Sequence, residues 1–377
     1  MDLSALRTPC VLIDVDRVAR NIERMQSAAA SRGLRLRPHA KTHKSIAIGR
    51  QQITAGAVGI CCAKLGEAER FADAGFDDIR LPYPLNPVNA DRVLALAQQI
   101  RLSFIVDDLE VARAWSRALQ PLGADRAVGI LVKVDVGFHR CGIDPDRVDA
   151  ADTIARIAEL PGLRFLGLLS HAGHAYGAAS ESETAAIAAA EARLLLDLAA
   201  HANRLGAVVE EVSVGATPTA RFSLQQDGIT EIRPGNYVYY DRTQVGLGAA
   251  DWSDCALTVL ARVVSTPADD RAILDCGSKT LTNDLARGFG ATPGYGIVFD
   301  GLDAREPDES LTIERLSEEH ANVRTRGDDT PRLRTGDVVR VLPNHSCVVS
   351  NLVDRAWLVR GDAVVGELPI DARGQIT

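Results

Sequence analysis

The sequence predicts an α/β fold: a (β/α)8 barrel followed by a mostly β C-terminal domain. Three observations predict it. From Thr8 to about Leu247, short β-rich runs alternate with longer helical patterns, the rhythm of a parallel sheet with helical crossovers. After Leu247 the runs stay strand-like and helical periods become rare. A chain of 377 residues is too long for one small core and suits a barrel with an appendage.

Taken in order, "CVLIDVD" reads as a strand and "RVARNIERMQSAAASRG" as a helix ending at Gly33. "LRLRPHAK" is strand-like and "KSIAIGRQQITAGA" helical. The pairs "VGICCAK" and "LGEAERFADAGF", "DIRLPYP" and "NADRVLALAQQ", and "LSFIVDD" and "LEVARAWSRALQPLG" repeat the pattern. "AVGILVKVDVG", "RFLGLLSHAG", "EEVSVGAT" and "EIRPGNYVYYD" continue it. About eight such units suit a barrel. The strand-like runs "CALTVLARVVST", "RAILDCGSKTLT", "DVVRVLPNHSCVVS", "RAWLVRG" and "AVVGELPI" follow. The expected division is a barrel over 8–248 and a β domain over 249–377, joined by residues 1–7. "QVGLGAADWSD" reads as the linker, and "DAREPDES" and "TRGDDTPR" as surface loops.

Composition narrows the function classes. A net charge of -8 argues against a general nucleic-acid surface, which needs a basic field. No apolar run reaches the roughly 18 residues of a membrane span. "MDLSALRTPCVLIDVD" shows no basic-then-apolar leader, and seven scattered cysteines do not form a disulfide framework. A reducing cytoplasm is the expected compartment.

Barrel chemistry gathers at the C-terminal ends of strands. That rule selects Lys41 after "LRLRPHA", His139 and Arg140 after "GILVKVDVGF", and His171, His174 and Tyr176 after "FLGLLS". It also selects Gly215 and Thr217 in "GATPTA", and Gly235, Asn236 and Tyr237 in "RPGNY". Bases, cations and small residues with free backbone N–H groups suit an anionic, planar cofactor. Each group alone has a plainer reading: a lone lysine at a strand end is usually solvated, a lone histidine satisfied, and "GATPTA" an ordinary turn. In the β domain, "PNHSC" places His345 and Cys347 two apart, on one side of an extended chain. Imidazole and thiolate suit Zn²⁺, and two ligands leave positions open. The plainer reading makes Cys347 a core residue.

Together, "TPCVLIDVDRVARNIERM", "RPHAKTHKS", "GICCAKLGEAERFADAGFDDI", "VDVGFHRCG", "SHAGHAY", "GATPTA", "EIRPGNYVYYD", "LDCGSKTL" and "LPNHSC" resemble the D-threonine aldolase and D-serine dehydratase family. These are pyridoxal 5'-phosphate (PLP) enzymes of the alanine-racemase-like fold, fold type III. The resemblance spans essentially the whole chain, and the remainder is most similar to low-specificity D-threonine aldolases.

The resemblance implies that Lys41 holds PLP, with its basic neighbours, His39 among them, easing its attack on a carbonyl. It implies phosphate contacts from Gly215, Ala216, Thr217, Gly235 and Asn236, with Tyr237 adjacent, while Arg140 and Tyr176 flank the ring. His345 and Cys347 match the family's metal pair, for Zn²⁺ or Mn²⁺, with Mg²⁺ a third choice. Some members carry aspartate in place of Cys347, and the His–Cys pair resembles the zinc-dependent dehydratase pattern, although aldolase-like relatives carry it too. The implied reaction is retro-aldol cleavage of a D-3-hydroxy-α-amino acid, with His171 or His174 as the base. The alternative is dehydration of D-serine or D-threo-3-hydroxyaspartate. A racemase comes third, and the non-enzymatic PLP-binding proteins share the barrel but lack a β domain, so the residues after Leu247 argue against that reading. A homodimer is also implied, the β domain of one subunit closing the other's barrel. "RPGNYVYYDRTQVGLG" supplies apolar and aromatic groups for that contact.

Overall fold

The computed structural model describes residues 2–302, 304–326 and 333–377. Most of "TRGDDTPR", and Asp303 of "DAREPDES", lie outside the described residues.

The first strand, β1 (Cys10–Asp14), ends on Asp14, whose carboxylate accepts the N–H groups of Asp16 and Arg17 and so caps helix α1 (Val15–Ser31). Val18, Ile22, Met25 and Ala29 form its buried stripe at helical spacing. Gly33, at φ +68, ends the helix in the left-handed conformation that glycine takes without strain.

Eight parallel strands follow: β2 (Arg35–Leu36), β3 (Ile60–Cys61), β4 (Asp78–Pro84), β5 (Arg101–Val106), β6 (Val128–Lys133), β7 (Leu163–Leu169), β8 (Glu211–Val214) and β9 (Glu231–Ile232). Their spatial order is β2-β9-β8-β7-β6-β5-β4-β3. A parallel bridge between His39 and Cys61 joins the two ends, with Cys61 N–H donating to Pro38 O at 2.8 Å, so the sheet closes. Helices α2 (Ile46–Thr54), α3 (Leu65–Asp73), α4 (Ala90–Ala97), α5 (Leu109–Leu119), α6 (Ala150–Ala158) and α7 (Glu181–Arg204) alternate with the strands, and the short α8 (Ala220–Ser223) precedes β9. Every residue of β6 is buried, as a strand between a filled barrel and covering helices must be.

The barrel interior carries charge. Glu231, fully buried, accepts from Arg37 Nε at 2.9 Å, Arg80 at 2.5 Å and Ser213 Oγ at 2.6 Å. Arg37 also meets Asp78, and Arg80 meets Glu211. Each ion of this network therefore has an opposite charge, the condition for keeping it inside.

After α9 (Arg242–Gly246) the chain forms β10 (Leu257–Ala268), β11 (Arg271–Leu274), α10 (Ser278–Leu281), β12 (Ile297–Phe299), β13 (Leu311–Leu316), β14 (Ala321–Thr325), β15 (Val338–Leu342), α11 (Ser346–Leu352), β16 (Arg355–Arg360) and β17 (Ala363–Pro369). The second sheet runs β11-β14-β13-β12-β15-β10-β1-β16-β17, and an extra β10–β11 pairing closes its first six strands on themselves.

The structure corrects the placement of the first strand. β1 lies in this second sheet, antiparallel to β10 and parallel to β16, and not in the barrel. Val11 and Ile13 pack with Val259 and Val341 in the β-domain core. A short apolar run fixes a strand but not its partner, which is why the β/α rhythm misassigns it. The α1 helix then carries the chain across, with Val18 and Ile22 in one core and Met25 and Ala29 in the other.

Candidate active site

A cavity of about 600 Å³ opens at the C-terminal ends of the barrel strands, ordinary for a small-molecule site. Its wall combines strand ends of the barrel with Asp284, Leu285, Arg287, His345 and Cys347 of the same chain's β domain.

The basic stretch after β2 divides its side chains among different tasks. His39 and Lys41 line the cavity. Arg37 belongs to the barrel's ion network. His43 is fully buried, bonded to Gln52 and Ser45, and Lys44 meets Glu67 at 3.0 Å and Asn351 at 2.8 Å. The expectation that all these cations surround Lys41 is therefore corrected: buried cations in this fold point where acids and amides satisfy them. The charges that do share the cavity come from Lys133, Arg140, Arg233 and Arg287.

His171 also lines the cavity. Its Nδ1 lies 2.8 Å from the carbonyl oxygen of Gly215, so Nδ1 carries the proton and Nε2 the lone pair. Burial, and then Lys41 and Lys133, hold its pKa well below the ordinary histidine value. Burial and Lys41 do the same to His39. Both imidazoles are neutral at physiological pH. His174 is not among the lining residues; it packs beside Gly137, its buried Nδ1 without a hydrogen-bond partner. His139, 85% exposed, is paired with Asp135 outside the cavity.

Gly215, Ala216, Thr217, Gly235 and Asn236 form the floor after β8 and β9. A Cβ at Gly215 would stand 2.8 Å from Arg233 N, and one at Gly235 would stand 3.0 Å from Thr42 Oγ1. The floor is therefore bare backbone. Among the described residues, no backbone acceptor takes the N–H of Gly215, Ala216, Thr217 or Gly235. A cradle of unspent N–H groups fits a phosphate. Tyr176 lines the cavity, its hydroxyl accepting from Gln244 at 3.3 Å, and burial raises its pKa. Tyr237 does not line it: its hydroxyl accepts from Gln52, away from the floor, while its N–H donates to Thr217 Oγ1.

The expectation that His345 and Cys347 share one side of an extended chain is corrected. His345 is the N-cap of α11 and Cys347 sits in that helix's first turn. They nonetheless share the cavity wall. His345 Nδ1 lies 2.6 Å from Asp284 Oδ2, which leaves Nε2 as the ring nitrogen open to a metal. Against burial, Cys347, Asp241 and Asp284 raise His345 to about 10. Cys347 is lowered, burial being outweighed by His345 and by Thr42, whose Oγ1 lies 3.2 Å from Sγ. A nitrogen and a thiolate with a carboxylate behind the imidazole are a donor set that fits a divalent ion. Among the described residues, no cluster of three or more His, Cys, Asp or Glu forms a closed metal cage.

Sequence reasoning missed Lys133, Arg233, Asp241, Asp284 and Arg287, all on the cavity wall. Lys133 ends β6, so the strand-end rule that found Lys41 also reaches it. Burial, then Arg233, bring it down to about 7. Asp284 and Arg287 stand on an irregular loop with no sequence signal.

The family described as "Alanine racemase, N-terminal domain" matches residues 13–243, and a serine dehydratase domain matches 256–359. The chain is 35% identical to a D-threo-3-hydroxyaspartate dehydratase from Delftia sp. (strain HT23), over 92% of each chain. It is 32% identical to a D-threonine aldolase from Arthrobacter sp., over 99% of this chain and 94% of that protein. The solved structure of D-threonine aldolase from Filomicrobium marinum superimposes with a TM-score of 0.88 at 29% identity, covering 100% of this chain and 98% of that one. The chain thus belongs to the alanine racemase-like, fold-type III family of PLP proteins, in the branch whose named relatives are aldolases and dehydratases of D-amino acids.

Proposed function

We propose that this protein is a PLP- and divalent-metal-dependent lyase that cleaves D-threonine-like D-3-hydroxy-α-amino acids to glycine and an aldehyde. The observation that carries the reading is one cavity lined by Lys41, a neutral His171, a bare-backbone floor and the His345–Cys347 pair. PLP, when bound, supplies an electron sink at the substrate's α-carbon. Lys41 would hold it, the Gly215–Thr217 turn with Gly235 and Asn236 would take its phosphate, and His39, Arg140 and Tyr176 would wall its ring. A divalent ion on His345 and Cys347, Zn²⁺ or Mn²⁺ before Mg²⁺, would supply Lewis acidity toward the 3-hydroxyl.

His171 then serves as the base. Its Nδ1–H is committed to Gly215, so Nε2 is free to take the 3-hydroxyl proton. As that proton passes to Nε2, the Cα–Cβ bond breaks and the aldehyde departs; the imidazolium then gives its proton back, so that Cα gains the one the hydroxyl lost and glycine is formed. Base and metal pair lie on a fixed wall, so they serve one arrangement of substituents at Cα, and the D isomer is the one proposed.

A second reading has a specific feature in its favour. Cys347, where some members of the resembled family carry aspartate, favours dehydration of D-serine or D-threo-3-hydroxyaspartate to a 2-keto acid and ammonia. The dehydratase name of the Delftia relative supports it too.

The proposed working form is a cytoplasmic homodimer. No helix among the described residues is long and apolar enough to cross a membrane. The dimer does not rest on the "NYVYY" aromatics, because Tyr237, Tyr239 and Tyr240 are buried within this chain. Nor does it rest on a borrowed β domain, since the chain's own supplies His345 and Cys347 to the cavity. Its support is the exposed apolar rim of Tyr83, Phe138 and Leu285 around the cavity mouth.

The test is a product assay. D-threonine, D-phenylserine, D-serine and D-threo-3-hydroxyaspartate are each incubated with protein, PLP and Zn²⁺ or Mn²⁺. Glycine and aldehyde from the D isomers alone are expected. Ammonia and keto acid without glycine would establish the second reading, and equal use of L isomers would reject both.

A further inference from the structure

We propose that Asp284 is a positioning residue for the metal pair: it fixes the ring of His345 so that Nε2 faces the cavity as a ligating lone pair. The inference rests on the metal reading above and adds a residue to it. The carboxylate and the ring meet at 2.6 Å, Oδ2 to Nδ1. Both side chains line the cavity and keep about two-fifths of their exposure, 42% and 43%. At that exposure an ion pair contributes little stability. Its consequence is orientation.

Asp284 is held in place without help from the histidine. After α10, Thr282 adopts φ +67, a left-handed conformation that a β-branched residue rarely takes. Its Oγ1 accepts the N–H of Asp284 at 2.8 Å. The carbonyl of Asp284 accepts from Asn344 Nδ2 at 2.9 Å, and the same amide reaches Gly294 O at 2.9 Å. Asn344 is itself buried and held by Arg242, whose Nη1 donates to its Oδ1 at 3.2 Å. Arg242 spends its remaining donors on the carbonyls of Thr292, Pro293, Gly294 and Gly296, pinning the far end of the loop.

The loop therefore presents a pre-set carboxylate, and the imidazole turns to meet it. An Nδ1–H donated to a carboxylate fixes the tautomer and raises the basicity of Nε2, as it does for metal-bound histidines generally. His345 directly follows Asn344, so one short segment supplies both the ligand and the amide that anchors its orienting acid.

The test compares metal affinity in the PLP-loaded full chain, by Zn²⁺ competition with a chromophoric chelator. Asp284→Ala should weaken Zn²⁺ binding by about 10–100-fold. Asp284→Asn keeps an oxygen that accepts the Nδ1–H but loses the charge, so it should bind between the parent and Asp284→Ala. The cofactor absorbance and melting temperature of both variants should match the parent, which separates lost orientation from lost folding. If Asp284→Ala misfolds, Asp284→Asn carries the test alone. Parent-like affinity in every folded variant would overturn the inference while leaving the metal reading intact. A parent protein that binds no Zn²⁺ would remove both.

Discussion

Thr42 and Cys347 stand 305 residues apart in sequence, yet Oγ1 and Sγ lie 3.2 Å apart. This contact joins the turn bearing Lys41 to the proposed metal pair, and so couples barrel to β domain at the cavity. With Cys347 as a thiolate, the Thr42 hydroxyl is the donor of this contact. A hydrogen bond to a charged group contributes about 1.5–3 kcal/mol. Thr42→Val should therefore lower kcat/KM by roughly ten- to a hundredfold, whereas Thr42→Ser should stay near the parent. Steady-state kinetics on both variants checks this; equal activity in Thr42→Val would deny the coupling.

The two histidines of "SHAGHAY" should differ sharply. His171 faces the cavity with a free Nε2, and His174 lies outside it. His171→Ala should cost about 10²–10⁴-fold in kcat while leaving cofactor content unchanged. His174→Ala should keep most of the activity. The opposite ranking would transfer the base to His174.

Removing metal should abolish turnover without bleaching the cofactor. EDTA treatment followed by gel filtration is expected to leave the visible band, and added Zn²⁺ or Mn²⁺ to restore the rate. Full activity in metal-stripped protein would reduce His345 and Cys347 to packing residues.

Stability should fall with acid. His43 accepts from Ser45 N–H and contacts Gln52, and burial pushes its pKa to about 4 from an ordinary 6.5. Between these values the unfolded chain binds the proton and the folded one does not. Stability thus rises with pH across this window, is complete above the unfolded value, and is lost as pH falls toward the folded one. The gap corresponds to at most about 3 kcal/mol. His39 and His171 are depressed in the same direction. Urea midpoints from pH 7 to 4 should fall, and His43→Gln should flatten part of the slope. A midpoint independent of pH would contradict the buried neutral histidines.

The barrel's ion network predicts a large single-site effect. Glu231→Ala takes from Arg37 and Arg80 the buried carboxylate they share, leaving Asp78 to the one and Glu211 to the other. Removing one partner of a buried ion pair costs about 3–5 kcal/mol. Urea unfolding measures it, and a loss near zero would mean that water or other acids replace the carboxylate.

Much of this fold was legible because β/α periodicity is local. The eight barrel strands, and the helices between them, each carry their own apolar pattern. Partnership is not local: Cys10–Asp14 reads as a strand equally well in either sheet. The site divides in the same way. Lys41, His171 and Gly215 follow from the strand-end rule, and Cys347 from its pairing with His345. The fate of Arg37, His43 and Lys44 was hidden, because their partners Glu231, Gln52 and Glu67 come from other elements. Asp284 was hidden for a related reason: its role depends on a loop that Arg242 and Asn344 pin from elsewhere.

The proposed function stands on this cavity holding PLP on Lys41. Borohydride reduction of the yellow, PLP-loaded protein, followed by peptide mass spectrometry, tests it most directly. A reduced pyridoxyl group on Lys41 is expected, and loss of the visible band in Lys41→Ala. A label on Lys133, the other lysine lining the cavity, or on any surface lysine would contradict it.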